Sequence, residues 1–253
     1  MHIYEPKSFL PEQEHKLRNY SKPSGYIQDF LSQKEFDMCR KLALSDIQWP
    51  EHGSVSKYWG FGWDSGFGPW LSWLRSKVND LICDDWELDF LAIQEAINPW
   101  KLHADIRWHA DRIPYKVILI PMDVEPVDGS VDVYNWPDTY SITFKQRNFL
   151  SRWQPISQAK TGNNQSDWVR PYDNVQVEGI EPGYHISREQ WQTYFSHMPY
   201  EHLEGLTLDC IHPWKPRSAF FWDNTAIHCA DNFLDHGIKT KRSLMIFTIL
   251  KNN

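Results

Sequence analysis

Apolar positions recur at helical spacing in the first third of the chain and in short strand-like runs after it. Ser32-Gln33-Lys34-Glu35 has the form of a capping box, and Phe36, Cys39, Leu42 and Ala43 follow on one helical face. Pro69 is a good first-turn residue, and Leu71, Leu74, Val78 and Leu81 would form the buried stripe of a second helix. The Gly- and Trp-rich stretch between them, Tyr58 to Trp63, reads as loop with a strand fragment. Residues 1–30 are polar, carry Pro6, Pro11 and Pro23, and read as an arm laid on the surface. From residue 86 the pattern predicts strands at 87–97, 114–122, 130–134, 139–146, 206–211, 217–222 and 243–250. A third helix is predicted to start at Ser187-Arg188-Glu189-Gln190, another capping box, and to stop before Pro199. Residues 151–174 are polar and rich in Gly, Asn and Gln, with Trp153 and Trp168 near their ends. A loop of that length is a lid or a plain surface insertion.

These elements describe a mainly β chain with flanking helices: two helices packed outside a seven- or eight-stranded antiparallel sandwich. Composition agrees, since 41% hydrophobic and 23% charged side chains are ordinary for a globular protein and exclude a disordered or collagenous one. The whole of 1–253 reads as a single domain. Residues 1–86 supply the arm and flanking helices, and 87–250 the β portion, with a loop and helix insertion at about 147–205. Net charge is −7, with Lys and Arg scattered, so no nucleic acid or anionic membrane is expected as partner. No apolar run reaches the roughly 18–20 residues of a membrane span. The start Met1-His2-Ile3-Tyr4-Glu5 lacks a secretory pattern, which predicts a cytoplasmic protein. The four cysteines (Cys39, Cys83, Cys210, Cys229) form no CxxC pair, so neither a zinc site nor a disulfide framework is expected. The 14 Trp, 11 Tyr and 13 Phe point to a ring-rich core and a ring-lined pocket.

The chemistry concentrates in two places. Residues 98–112 hold two His-x-Asp triplets, His103/Asp105 and His109/Asp111. On an extended backbone, residues i and i+2 share a face, so each triplet can offer an imidazole and a carboxylate to one metal ion. Chance alone supplies about one such triplet in a chain of this composition, so context must decide. That context is the segment Phe220-Phe221-Trp222-Asp223-Asn224-Thr225-Ala226-Ile227-His228: an aromatic strand, a polar turn, then a histidine. Lys239, Lys241 and Arg242 follow, leading into the apolar strand Ser243–Leu250. Two histidines and one carboxylate make a facial triad that leaves open positions on a non-haem Fe(II) ion. A basic residue on the last strand can clamp the carboxylate of a chelating co-substrate.

The order His-x-Asp, long interval, distal His, then Lys/Arg heading a final strand resembles the iron(II)/2-oxoglutarate-dependent oxygenase superfamily, with phytanoyl-hydroxylase-like and small prokaryotic or phage-type members nearest in feel. The resemblance covers roughly residues 87–250. It implies a double-stranded β-helix, the jelly-roll or cupin-like barrel, with Fe(II) held by His103, Asp105 and His228. It also implies 2-oxoglutarate chelating the metal, with its distal carboxylate on Lys241 or Arg242 and Ser243 sharing it. Reaction with O2 would give succinate and CO2 and oxidise a small or medium-sized organic substrate. His103/Asp105 is favoured over His109/Asp111 because it directly follows the Asn98-Pro99 turn after the first strand. Lys241 and Arg242 are adjacent and face opposite sides, so only one can point inward. Lys241-x-Ser243 matches a basic-x-Ser arrangement of the superfamily, whereas Arg242 has the better fork for a carboxylate. The Asp105 carboxylate argues against halogenation, which in that superfamily needs its coordination position for halide.

Two other readings stay open. One is an oxidase of the same barrel that uses iron and O2 without 2-oxoglutarate; the other is a jelly-roll binding module with no enzymatic activity. The remaining histidines His185, His197, His202, His212 and His236 have no partner at ligand spacing and are expected at the surface or at helix ends.

Overall fold

This computed structural model describes residues 15–16, 22–44, 56–61, 68–79, 81, 86–104, 113–129, 132–148 and 177–251. In chain order the described elements are β1 (Gly25–Ile27), α1 (Gln33–Ala43), β2 (Ser56–Phe61), α2 (Gly68–Asn79), β3 (Trp86–Ala96), β4 (Ile113–Pro126) and β5 (Tyr140–Asn148). Then come β6 (Val177–Glu178), α3 (Arg188–Tyr194), a 3₁₀ turn (Tyr200–Leu203), β7 (Leu208–Pro213), β8 (Ala219–Asp223), β9 (Ala226–Ala230) and β10 (Ile238–Leu250). The larger sheet runs β1-β8-β4-β10-β3-β2, antiparallel at every described pairing. In the smaller sheet β5 pairs with β6, β7 and β9. Consecutive strands alternate between the sheets around β7 to β10, the course of a jelly roll.

Both faces of the larger sheet are covered, and this explains why its central strands do not alternate. β4 is buried from Ile113 through Met122, and β10 from Ser243 through Leu250. The outer face carries α1, whose Phe36, Cys39 and Ala43 are buried against β4 and β10. Leu74 and Val78 of α2 reach Trp86, Leu88 and Leu91 beside it. Burying a side chain the size of Phe36 contributes about 1.5–3 kcal/mol. The α1 capping box is formed, with Ser32 N–H donating to Glu35 at 2.7 Å, and Glu35 also accepts from the Trp73 indole, tying the helices together. On the outer face of the smaller sheet, Phe195, Met198 and Leu203 cover Ile142, Phe144 and Ile227. The Ser187 capping box is complete, fixing where α3 begins.

Several expectations need correcting. The strand fragment expected near Tyr58 to Trp63 is β2, which begins earlier than expected and pairs with β3 over six positions, while 62–63 lie outside the described residues. The surface arm contributes β1, which pairs with β8; a Cβ on Gly25 would fall 2.3 Å from the Phe221 ring, so any other residue there would have to push that ring aside. Of the strand expected at 130–134, residues 130–131 lie outside the described residues, and 132–134 form a turn closed by an isolated Asp132–Asn135 bridge. The 151–174 segment, with Trp153 and Trp168, lies outside the described residues, as do 105–112.

Candidate metal centre

Residues 100–104 run antiparallel beside β9 and extend the smaller sheet. Ala230 N–H donates to the Trp100 carbonyl at 3.0 Å, and His103 and His228 exchange backbone hydrogen bonds of 2.9 Å in both directions. Directly paired residues project to the same face. The two rings lie 4.0 Å apart, and the His228 ring is 4.7 Å from Trp222 on the opposite sheet, so this face is the barrel interior. Trp100 stacks on the other side of His103 at 4.8 Å. The imidazoles are thus held between two indoles by packing that leaves little rotational freedom.

Their chemistry is matched. His103 Nδ1 lies 2.8 Å from the Lys101 carbonyl and His228 Nδ1 lies 2.9 Å from the Ala226 carbonyl. A carbonyl only accepts, so each Nδ1 carries a proton, and in the neutral ring Nε2 then carries the lone pair. That tautomer is the one a metal-binding imidazole needs, with its second nitrogen anchored to the backbone. Among the described residues no group of three or more His, Cys, Asp or Glu is placed to hold a metal ion. Asp105, two positions beyond His103, is outside the described residues, as are His109 and Asp111. The donor set fits a metal with imidazole ligands.

Lys241 points into the same interior from β10, its side chain fully buried. Its ammonium donates to the Tyr140 carbonyl at 2.9 Å, the Thr139 hydroxyl at 3.1 Å and Asp231 Oδ1 at 3.3 Å, with the Trp214 ring 4.1 Å away. Burial lowers its pKa, with the Asp231 charge opposing that drop. Ser243, on the same face two residues on, is also buried. Arg242 faces outward and pairs with Glu95 at 2.6 Å, so of the two adjacent cations only Lys241 reaches the interior.

The histidine reading needs one correction. His212 on β7 is wholly buried, not superficial: its ring stacks on Phe220 at 5.1 Å and its Nε2 lies 3.2 Å from the Thr143 hydroxyl. Burial pushes its pKa down to about 4, with the Asp209 charge opposing the drop. Thr143 sits directly across from His228 on β5. His212, Thr143, Thr139 and Asp231 escaped sequence reasoning because their placement depends on strand pairing between distant segments. Only Asp231 carried a hint, lying three residues beyond the distal histidine.

No protein family model and no curated protein matches the sequence. Solved structures that follow a similar chain course include SnoK from nogalamycin biosynthesis, a non-heme alpha-ketoglutarate-dependent carbocyclase. It is 12% identical with a TM-score of 0.48, over 98% of this chain and 87% of that one. The viral collagen prolyl hydroxylase of Paramecium bursaria Chlorella virus-1, solved with 2-oxoglutarate, is 9% identical with a TM-score of 0.46, over 91% and 97%. HygX from Streptomyces hygroscopicus, solved with nickel, 2-oxoglutarate and hygromycin B, is 10% identical with a TM-score of 0.46, over 96% and 88%. Among the described residues no helix is long and apolar enough to cross a membrane.

Proposed function

We propose that the chain is an Fe(II)- and 2-oxoglutarate-dependent dioxygenase that hydroxylates or otherwise oxidises a small or medium-sized organic substrate. The observation that carries this reading is the His103–His228 pair: two imidazoles in the same tautomer, side by side, facing an interior that also receives one buried lysine from the last strand. His103 and His228 hold the metal, with Asp105 as the carboxylate. Lys241 and Ser243 receive the distal carboxylate of 2-oxoglutarate. The bound metal and co-substrate supply oxidative decarboxylation with O2, yielding succinate and CO2. The protein's own share is orientation: Trp100 and Trp222 fix the two rings, and the backbone carbonyls of Lys101 and Ala226 fix their protons.

A second reading, an iron oxidase of the same barrel that needs no 2-oxoglutarate, is favoured by one feature: the Lys241 ammonium already has three partners within the protein. One experiment separates the two. Under the first reading, protein supplied with Fe(II), O2 and 2-oxoglutarate releases succinate, and anaerobic addition of 2-oxoglutarate to the Fe(II) protein produces a weak visible charge-transfer band. Iron binding with neither signal selects the oxidase.

A further inference from the structure

An ammonium group has three protons to donate, and in Lys241 all three have acceptors: the Tyr140 carbonyl, the Thr139 hydroxyl and Asp231 Oδ1. The Thr139 hydroxyl in turn donates to the same Asp231 oxygen at 2.8 Å, closing a triangle. Asp231 and Thr139 are both 0% exposed, and the Trp214 and Phe233 rings wall the ammonium off at 4.1 and 5.3 Å. The second Asp231 oxygen, Oδ2, has no hydrogen-bond partner among the described residues; it faces His236 Nδ1 at 3.3 Å, and that nitrogen already donates to the Asp138 carbonyl. A buried carboxylate with half of its acceptor capacity unused is costly, and more so than a neutral group.

We propose that Asp231 is the resident occupant of the acid-binding position on Lys241, so that a dicarboxylic co-substrate takes that position only by displacing Asp231 and with uptake of one proton from solvent. The inference rests on the 2-oxoglutarate reading of the site and concerns how this chain admits the acid. Once the second carboxylate enters, two anions face one ammonium in an interior closed to water, and like charges so placed repel strongly. The proton resolves this by neutralising Asp231, which then keeps Thr139 as partner while the incoming carboxylate takes the ammonium. The ionisable groups around Asp231 are Lys241 from β10, Tyr140 from β5, Cys229 from β9 and His236 from the β9–β10 connection that also carries Asp231; Asp138 backs His236, and the Lys241 charge is felt at His197. Among these groups Lys241 is the cation that Asp231 contacts in the interior, so the charge balance of the position turns on Asp231. It is therefore a specificity-determining residue. It disfavours acids that arrive without room for that proton, and it sets the co-substrate affinity.

Isothermal titration of 2-oxoglutarate into the full chain loaded with Mn(II), at one pH in two buffers of different ionisation heat, measures the proton directly. The expected result is uptake approaching one proton per 2-oxoglutarate bound. In Asp231→Asn the uptake should vanish and the affinity should rise at least about tenfold, because the like charge is gone. Binding to the unaltered chain with no proton uptake overturns the inference and leaves the oxygenase reading standing. So does a folded Asp231→Asn protein that binds equally or more weakly. If that variant does not fold, the proton count on the unaltered chain decides alone. No binding of 2-oxoglutarate at all overturns the functional reading and this inference with it.

Discussion

His103 and His228 each donate a backbone N–H to the other's carbonyl at 2.9 Å, and their rings stand 4.0 Å apart. A contact between residues so far apart in the chain exists only because 100–104 lies against β9. The same pairing that closes the smaller sheet therefore builds the face that we propose holds the metal. About one Fe(II) per chain is expected, with Mn, Co or Ni as inert replacements. His103→Ala, Asp105→Ala and His228→Ala should each abolish metal binding, measured by metal analysis after anaerobic purification, whereas His109→Ala should retain it. Retention in His103→Ala with loss in His109→Ala would assign the ligands to the other triplet.

Lys241 and Arg242 differ by one position and face opposite sides of the larger sheet, so their replacement should have separable effects. Lys241→Met should weaken 2-oxoglutarate binding tens- to thousands-fold, the scale of about 2–5 kcal/mol for losing one partner of a desolvated charge pair. Arg242→Gln should leave that binding nearly unchanged and instead cost about 1–3 kcal/mol of stability, because Glu95, 4% exposed, loses its charged donor. Thermal melting with and without 2-oxoglutarate reads both effects. Equal loss of binding in the two variants would contradict the interior assignment of Lys241.

Much of this arrangement is legible in the sequence. The helix starts at Ser32 and Ser187 were legible because a capping box is local chemistry, and the runs at 114–122 and 243–250 because a strand covered on both faces must be apolar throughout. β2 was legible only as a fragment because Gly60 and its neighbouring rings mimic a loop; its extent is set by pairing with β3, which lies outside local sequence. At the site, the spacing of His103 and His228 from turn signals was informative, and the alternation rule stated that only one of Lys241 and Arg242 could face inward. The internal partners of Lys241 were not legible. Thr139, Tyr140 and Asp231 meet it from three segments, and no one-dimensional pattern encodes that meeting.

His212 makes stability depend on acid. Its pKa falls from the ordinary 6.5 to about 4 in the folded chain, chiefly because burial disfavours the charged ring. Unfolding exposes it, so the unfolded chain binds the proton first as pH drops. Stability is therefore complete above about pH 6.5 and is lost progressively toward pH 4, by about 3 kcal/mol from this residue. Urea midpoints taken across pH 4–7 should show that decline, and His212→Phe should make it shallower while preserving the stack on Phe220, with His197, likewise pushed down to about 4 by burial, carrying a remaining part. An unchanged slope in the variant would show that other groups carry the acid sensitivity.

A buried ion pair at the other edge of β8 fastens the N-terminal arm, and its loss should be felt there first. Lys116 pairs with Asp223, both almost fully buried; the other oxygen of Asp223 accepts the Lys22 backbone N–H at 3.0 Å and lies 3.6 Å from Arg147. Removing one member of a buried pair leaves an uncompensated charge and costs about 3–5 kcal/mol, and Lys116→Met should fall at the low end because Arg147 remains beside the carboxylate. Asp223→Leu removes both the pair and the tie to Lys22, so β1 should separate from β8 before the rest of the sheet unfolds. Hydrogen exchange resolves this: amides of Gly25–Ile27 should lose protection in Asp223→Leu, while those of β10 retain it. The contrast is Lys239 with Glu125, an ion pair of similar sequence separation but with both side chains largely in solvent. Lys239→Gln should change stability by no more than about 0.5 kcal/mol, since solvent screens the attraction and the lysine regains its freedom. Comparable losses from Lys116→Met and Lys239→Gln would mean that burial does not set the strength of these pairs.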